Sequence, residues 1–172
     1  APAFDKVVDL DPKGAFTADA ALAAVLCYNN LYQQQFSASE KTTSKQRAPT
    51  AKKGKKAEAE EKPDYKPRDL TMLENGMLKA FQRYVCFVPN SEDIATMKYR
   101  RARIYYESNR FEEAAVIFKD IAYNHRKSDL AEYAANLYLD SLNILASMRE
   151  GDTRPQCFDI MSAAVPELFG FY

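Results

Sequence analysis

Alanines and aromatic residues recur along this chain at intervals that only a helix can gather onto one face. Ala102-x-x-Tyr105 is followed by Phe111-x-x-Ala114-x-x-x-Phe118-x-x-Ile121. Residues three, four and seven apart share one side of an α-helix, so each segment carries a stripe that mixes small and large side chains. A small residue lets two helices approach closely, and a ring beside it fills the remaining space. The pattern returns: Ala135-x-x-Tyr138 lies 33 residues after Ala102-x-x-Tyr105, and Ala80-x-x-x-Tyr84-x-x-Phe87 lies 34 residues before Ala114-x-x-x-Phe118-x-x-Ile121. A spacing in this range marks an array of two-helix units that bury their faces against one another.

The pattern predicts an all-α chain, since no segment alternates with a period of two. A first helix is expected over Thr17 to about Gln35, with Thr17 as its N-cap and Asp19 in the positive first turn. A second, over Asp69 to about Val88, carries Leu70, Leu73, Met77, Ala80, Phe81, Tyr84 and Val85 on one face, and Pro89 ends it. Asn90 or Ser91 caps a third that runs to about Glu107. Ser108-Asn109-Arg110 turns into a fourth, Phe111 to Tyr123. Ser128 caps a fifth that reaches about Met148, Gly151-Asp152 breaks it, and Pro155 suits the start of a sixth. Short connections make successive helices antiparallel neighbours.

In these residues the chain resembles the tetratricopeptide repeat family over most of its length outside one insertion. The 90–127 unit matches best; residues 1–14 look like the tail of a preceding repeat, with Phe4 and Val7 as its apolar positions. Residues 15–89 would form a hairpin whose turn is interrupted, and 128–172 a third hairpin. The resemblance implies antiparallel hairpins stacked as a right-handed superhelix, with protein or peptide partners held along the concave face and neighbouring repeats in the same longer chain. Departures are the absence of any Trp and the presence of Lys98 and Arg101 early in the third helix, where the family carries large apolar residues. These two are expected to snorkel or to face a neighbouring element. The openings Asn-Ser-Glu-Asp-Ile-Ala (90–95) and Lys-Ser-Asp-Leu-Ala-Glu-Tyr-Ala-Ala-Asn (127–136) resemble repeats of bacterial cell-envelope proteins. That likeness implies work in the periplasm or envelope; a cytoplasmic adaptor or chaperone-associated module is the alternative.

Composition isolates the interruption. From Ser37 to Arg68 there is no Leu, Ile, Val, Met or Phe, and between Glu40 and Arg68 ten basic residues face five acidic ones. The totals are 24 and 24, which leaves 14 basic and 19 acidic residues elsewhere. A segment so poor in apolar groups cannot offset its ordering entropy, so 37–68 is expected to be a mobile charged insertion. Its Lys52-Lys53-Gly54-Lys55-Lys56 cluster has no interleaved aromatics for base stacking, and the body is acidic, so nucleic acid is disfavoured as a partner. No apolar run approaches the roughly 18 residues of a transmembrane segment.

The residue types that carry catalysis or bind metals are sparse. Three cysteines, Cys27, Cys86 and Cys157, stand far apart, and His125 is the single histidine, so neither a metal site nor a cofactor is expected. Cys27 and Cys86, set in apolar stretches, are expected to act as small buried hydrophobes. His125, among Asn124, Arg126 and Lys127, is expected to cap a helix end or to interact with carbonyls there. There is no phosphate-cradling Gly-rich loop, no nucleophile elbow and no sheltered carboxylate pair, so no catalytic residue is assigned. The apolar Leu168-Phe169-Gly170-Phe171-Tyr172 end is expected to pack on the last hairpin or on a following repeat. What remains is a peptide groove on the first helix of each hairpin: Tyr99, Arg103 and Tyr106 from one, and Glu132, Asn136 and Asp140 from the next. Rings flanked by charge suit an extended or helical peptide.

Overall fold

A computed structural model of the chain describes residues 2–43, 65–148 and 154–172. They form seven helices: α1 (Pro2–Leu10), α2 (Thr17–Thr43), α3 (Met72–Phe87), α4 (Ile94–Glu107), α5 (Phe111–Asn124), α6 (Ala131–Met148) and α7 (Arg154–Phe171). No strand occurs among the described residues, in accord with the expected all-α class. Every substantial packing joins helices adjacent in the chain, α5 against α6 most extensively, apart from a small contact between α4 and α6.

Alanine sets how the helices meet. Nearly half of the buried apolar residues are alanine, and Ala102, Ala114, Ala122, Ala131, Ala134 and Ala146 are wholly inaccessible. Phe118 and Ile121 fill the space beside them, equally buried. Two clusters result, one uniting α1 to α4 around Phe81 and Val25, the other uniting α4 to α7 around Phe118. Gly76 serves the first: a Cβ there would fall on the Tyr28 ring of α2, so glycine permits the approach of α3.

Local chemistry explains most helix boundaries. The turn between α4 and α5 is a Schellman motif: Asn109 N–H bonds the Tyr106 carbonyl at 3.0 Å, and Arg110 N–H bonds that of Tyr105 at 2.9 Å. Asn109 takes the left-handed conformation this requires, at φ 58°. Ser91 and Ser128 accept from the N–H groups of Asp93 and Leu130, two residues on, at 3.1 and 3.3 Å, opening α4 and α6. Thr17 differs from expectation. Its hydroxyl reaches back to the Asp11 carbonyl at 2.5 Å, and the first helical bond runs from Ala20 N–H to the Phe16 carbonyl. It is buried, and fastens the α1–α2 connection instead of capping α2.

Of the expected 37–68 insertion, residues 44–64 lie outside the described residues. Helix α2 continues to Thr43, and at the other end residues 65–68 lie along the α4–α5 turn. Arg68 N–H bonds the Ser108 carbonyl at 3.0 Å, Asn109 Nδ2 bonds the Lys66 carbonyl at 3.0 Å, and the Tyr65 ring meets Phe111 edge-on at 5.8 Å. Lys52–Lys56 and the Gly151-Asp152 break lie outside the described residues. In α1 the buried residue is Val8, while Phe4 and Val7 face outward, so the helix is turned by one position from the expected face. Arg83 of α3 ties α1 down through the Asp5 carbonyl at 2.9 Å and the Asp9 carboxylate. At the far end Leu168 is buried, Phe171 packs edge-on to Tyr123, and Tyr172 Oη donates to the Ala122 carbonyl at 2.8 Å, whereas Phe169 is exposed.

The start of α3 holds the best-satisfied buried charge. Thr71 and Glu74 form a capping box, with Thr71 N–H to Glu74 Oε2 at 2.9 Å and Glu74 N–H to Thr71 Oγ1 at 3.2 Å. Arg68 grips the same carboxylate with both terminal nitrogens, at 2.6 and 3.0 Å. Glu74 is buried, and chiefly the Arg68 bonds hold its carboxyl at about 2, below the ordinary 4.5. The unfolded chain binds this proton more tightly. The stabilisation is therefore complete above about pH 4.5 and is lost as pH falls towards 2. Glu74→Gln should flatten the acid limb of the stability curve in that window. At pH 7 it should cost on the order of 2 kcal/mol, allowing for screening at the exposed Arg68; urea unfolding at a series of pH values measures both. In the core, Ala114→Leu should cost about 1–3 kcal/mol by overpacking and Phe118→Ala about 3–5 kcal/mol by cavity formation. Equal stability of either variant to the parent would contradict the close-packed alanine seam.

Candidate functional site

Helical spacing aligns Tyr99, Arg103 and Tyr106 along one side of α4, and Glu132, Asn136 and Asp140 along one side of α6. The small α4–α6 contact brings one pair together: the Tyr106 hydroxyl donates to Asp140 Oδ2. Burial, reinforced by that carboxylate, pushes the Tyr106 hydroxyl up to about 12. The Tyr106 ring also lies edge-on to Phe111 at 5.3 Å and to Phe118 at 6.2 Å. Tyr106 and Asp140 thus act as a pin between α4 and α6. Glu132 and Asn136 are exposed further along α6.

Tyr99 and Arg103 border a different space, an open cleft of about 410 Å³ between α2 and α4. Met77 and Ile104 supply apolar surface at its base, α2 contributes Asn29, Tyr32 and Gln33, and α4 adds Arg100 and Glu107. Tyr99 leans on Phe118 at 5.7 Å, and Arg103 Nη2 reaches Glu107 Oε1 at 2.5 Å. Burial raises the Tyr32 hydroxyl, with Glu107 and Glu74 adding to the shift, so its phenol is neutral at physiological pH. The cleft therefore offers two rings, an apolar base and two guanidinium groups against one carboxylate. The α2 residues were absent from the sequence-derived set. Their signal was the polar side of Asn29-x-x-Tyr32-Gln33, opposite the alanine-rich stripe.

Several other groups fall elsewhere than expected. Cys86 is exposed, with Gln82 Nε2 at 3.0 Å from its sulfur, and Cys27 is half-buried, so neither is a core residue. His125 does close α5 through its backbone N–H, but its ring faces Lys98 Nζ at 2.9 Å instead of carbonyls. Burial, then the Lys98 charge, lowers the His125 pKa, so the imidazole is neutral near pH 7. Lys98 bridges from α4 to Asp120 of α5, the reach to a neighbouring element expected for it. Among the described residues no group of three His, Cys, Asp or Glu side chains gathers as metal ligands would. Nor is any described helix long and apolar enough to cross a membrane.

The pin and the exposed positions are separable by substitution. Tyr106→Phe removes a hydrogen bond to a charged acceptor and should lower stability by about 1–3 kcal/mol, while Asn136→Ala should change it by less than about 0.5 kcal/mol. Thermal and urea unfolding of the two variants gives the comparison, and equal effects would contradict the pin.

No family model, curated protein or solved structure matches this chain.

Proposed function

We propose that the chain is a non-catalytic interaction scaffold of the tetratricopeptide-repeat kind, which grips a segment of a partner protein in the α2–α4 cleft and holds it within a larger assembly. The observation that carries this reading is the cleft itself. Helices α2 and α4 are the first members of successive hairpins, and between them lie the Tyr99 and Arg103 side chains singled out by spacing. Packing that runs from helix to helix along the chain, with α4 also touching α6, supports a stacked superhelical array. Two rings and a methionine suit apolar side chains of an extended or helical peptide, and Arg100 and Arg103 suit a carboxylate on it. The acidic balance outside 40–68 speaks against nucleic acid. Assignment to a bacterial envelope rests on the likeness of the 90–95 and 127–136 openings to repeats from such proteins.

Site-specific photo-crosslinking tests the reading. A photoreactive residue replacing Arg100 should trap discrete protein partners from native extract, and the same residue at the fully outward Met72 should not. Adding Arg103→Glu, an exposed change that leaves the core intact, should reduce the crosslinked yield at least fivefold. Equal trapping at both positions, or indifference to Arg103→Glu, would move the partner surface elsewhere.

A further inference from the structure

Helices α4 and α5 form a hairpin that the Schellman turn at Asn109 closes at one end. At the open end a polar cluster ties them. Lys98 of α4 reaches across to α5, where its Nζ meets Asp120 Oδ2 at 2.5 Å and His125 Nε2 at 2.9 Å. Asn124 Nδ2 donates to the other Asp120 oxygen at 2.8 Å. The Lys98 and His125 side chains are 20% and 27% exposed, so water replaces these contacts poorly. The His125 backbone is engaged as well. Its N–H closes α5 on the Ile121 carbonyl at 2.9 Å, and its own carbonyl accepts from Ser128 N–H at 2.9 Å, just ahead of α6.

An ammonium group has only protons to offer, so Lys98 can bond Nε2 only where that nitrogen presents its lone pair. The ring is then neutral, with its proton on Nδ1. A proton on Nε2 sets donor against donor and cation against cation at 2.9 Å, and Asp120 Oδ2, 4.0 Å from that nitrogen, is then claimed by both. Against the burial that opposes them, the bonds from Lys98 and Asn124 hold Asp120 below its ordinary 3.8, so it stays an anion while the histidine titrates. Around the ring, Glu92 ahead of α4 and Asp129 ahead of α6 are offset by Arg126 and Lys127, which leaves Lys98 and Asp120 to decide the balance. We infer that this cluster is a pH-sensitive latch: a proton taken up by His125 breaks its bond to Lys98 and loosens the open end of the α4–α5 hairpin, together with the turn into α6. Burial and then the Lys98 charge set the His125 pKa below the ordinary 6.5, so the unfolded chain takes the proton first. The stabilisation is therefore whole above about pH 6.5 and is lost as pH falls through the lowered folded value. That window lies above the one governed by Glu74, so the two acid effects are separable.

His125 is the single histidine of the chain, so NMR of the full chain follows its ring without ambiguity. The neutral ring should carry its proton on Nδ1 and titrate below 6.5, and Lys98→Met should raise that titration. Amide exchange, corrected for its intrinsic pH dependence, reads the loosening. Protection at His125 and Ser128 should fall at least about twofold between about pH 7.5 and about pH 5.5, while Arg110 at the closed end is unchanged. His125→Gln keeps an acceptor for Lys98 but does not titrate, and should remove that fall. The inference is overturned if the neutral ring is protonated on Nε2, if it titrates at or above 6.5, or if Lys98→Met leaves the titration where it was. It is equally overturned if the parent shows no fall in protection, or if the fall persists in His125→Gln.

Discussion

The structure depends on how closely its helices can approach. Where Ala102 of α4 and Ala114 of α5 are wholly buried, no larger side chain separates the helices, and the rings of Phe118 and Tyr138 occupy the flanks. A seam of this kind has little tolerance, because added methylenes must displace backbone and not merely a flexible side chain. It also fixes rotation. With the alanine stripe turned inward, Tyr99, Arg103 and Tyr106 must emerge on one flank of α4, and Arg101 with Tyr105 on the other. The cleft against α2 follows from that constraint.

The helical elements were legible because periodicity and short polar linkers survive in the sequence whatever the tertiary contacts. Their ends were less so. Thr17 has the chemistry of an N-cap, yet the nearby Asp11 carbonyl competes for its hydroxyl. Thr71-x-x-Glu74 is a plain capping signature that the apolar stripe of α3 obscured. Low apolar content in 37–43 signals that little can be buried, but Lys, Glu, Ala and Ser are adequate helix residues, so α2 continues. Tyr65, the single aromatic between Ser37 and Arg68, was the clue that this end of the segment has a docking place.

The site was legible in halves. Spacing revealed the α4 stripe, but it cannot say which helix of another hairpin lies alongside, so Asn29, Tyr32 and Gln33 went unseen. The same ignorance of neighbours hid the Tyr106–Asp140 bond, which links residues 34 apart, and the turning of the His125 ring toward Lys98.

Tyr105 is the one half-buried ring that packs against both apolar clusters, the α1–α4 group on one side and the α4–α7 group on the other. Helix α4 belongs to both groups as well, through Ile94, Met97 and Ile104 on one side and Ala102 on the other. The two clusters therefore share α4 as a common wall, and a change on either of its sides is felt by both.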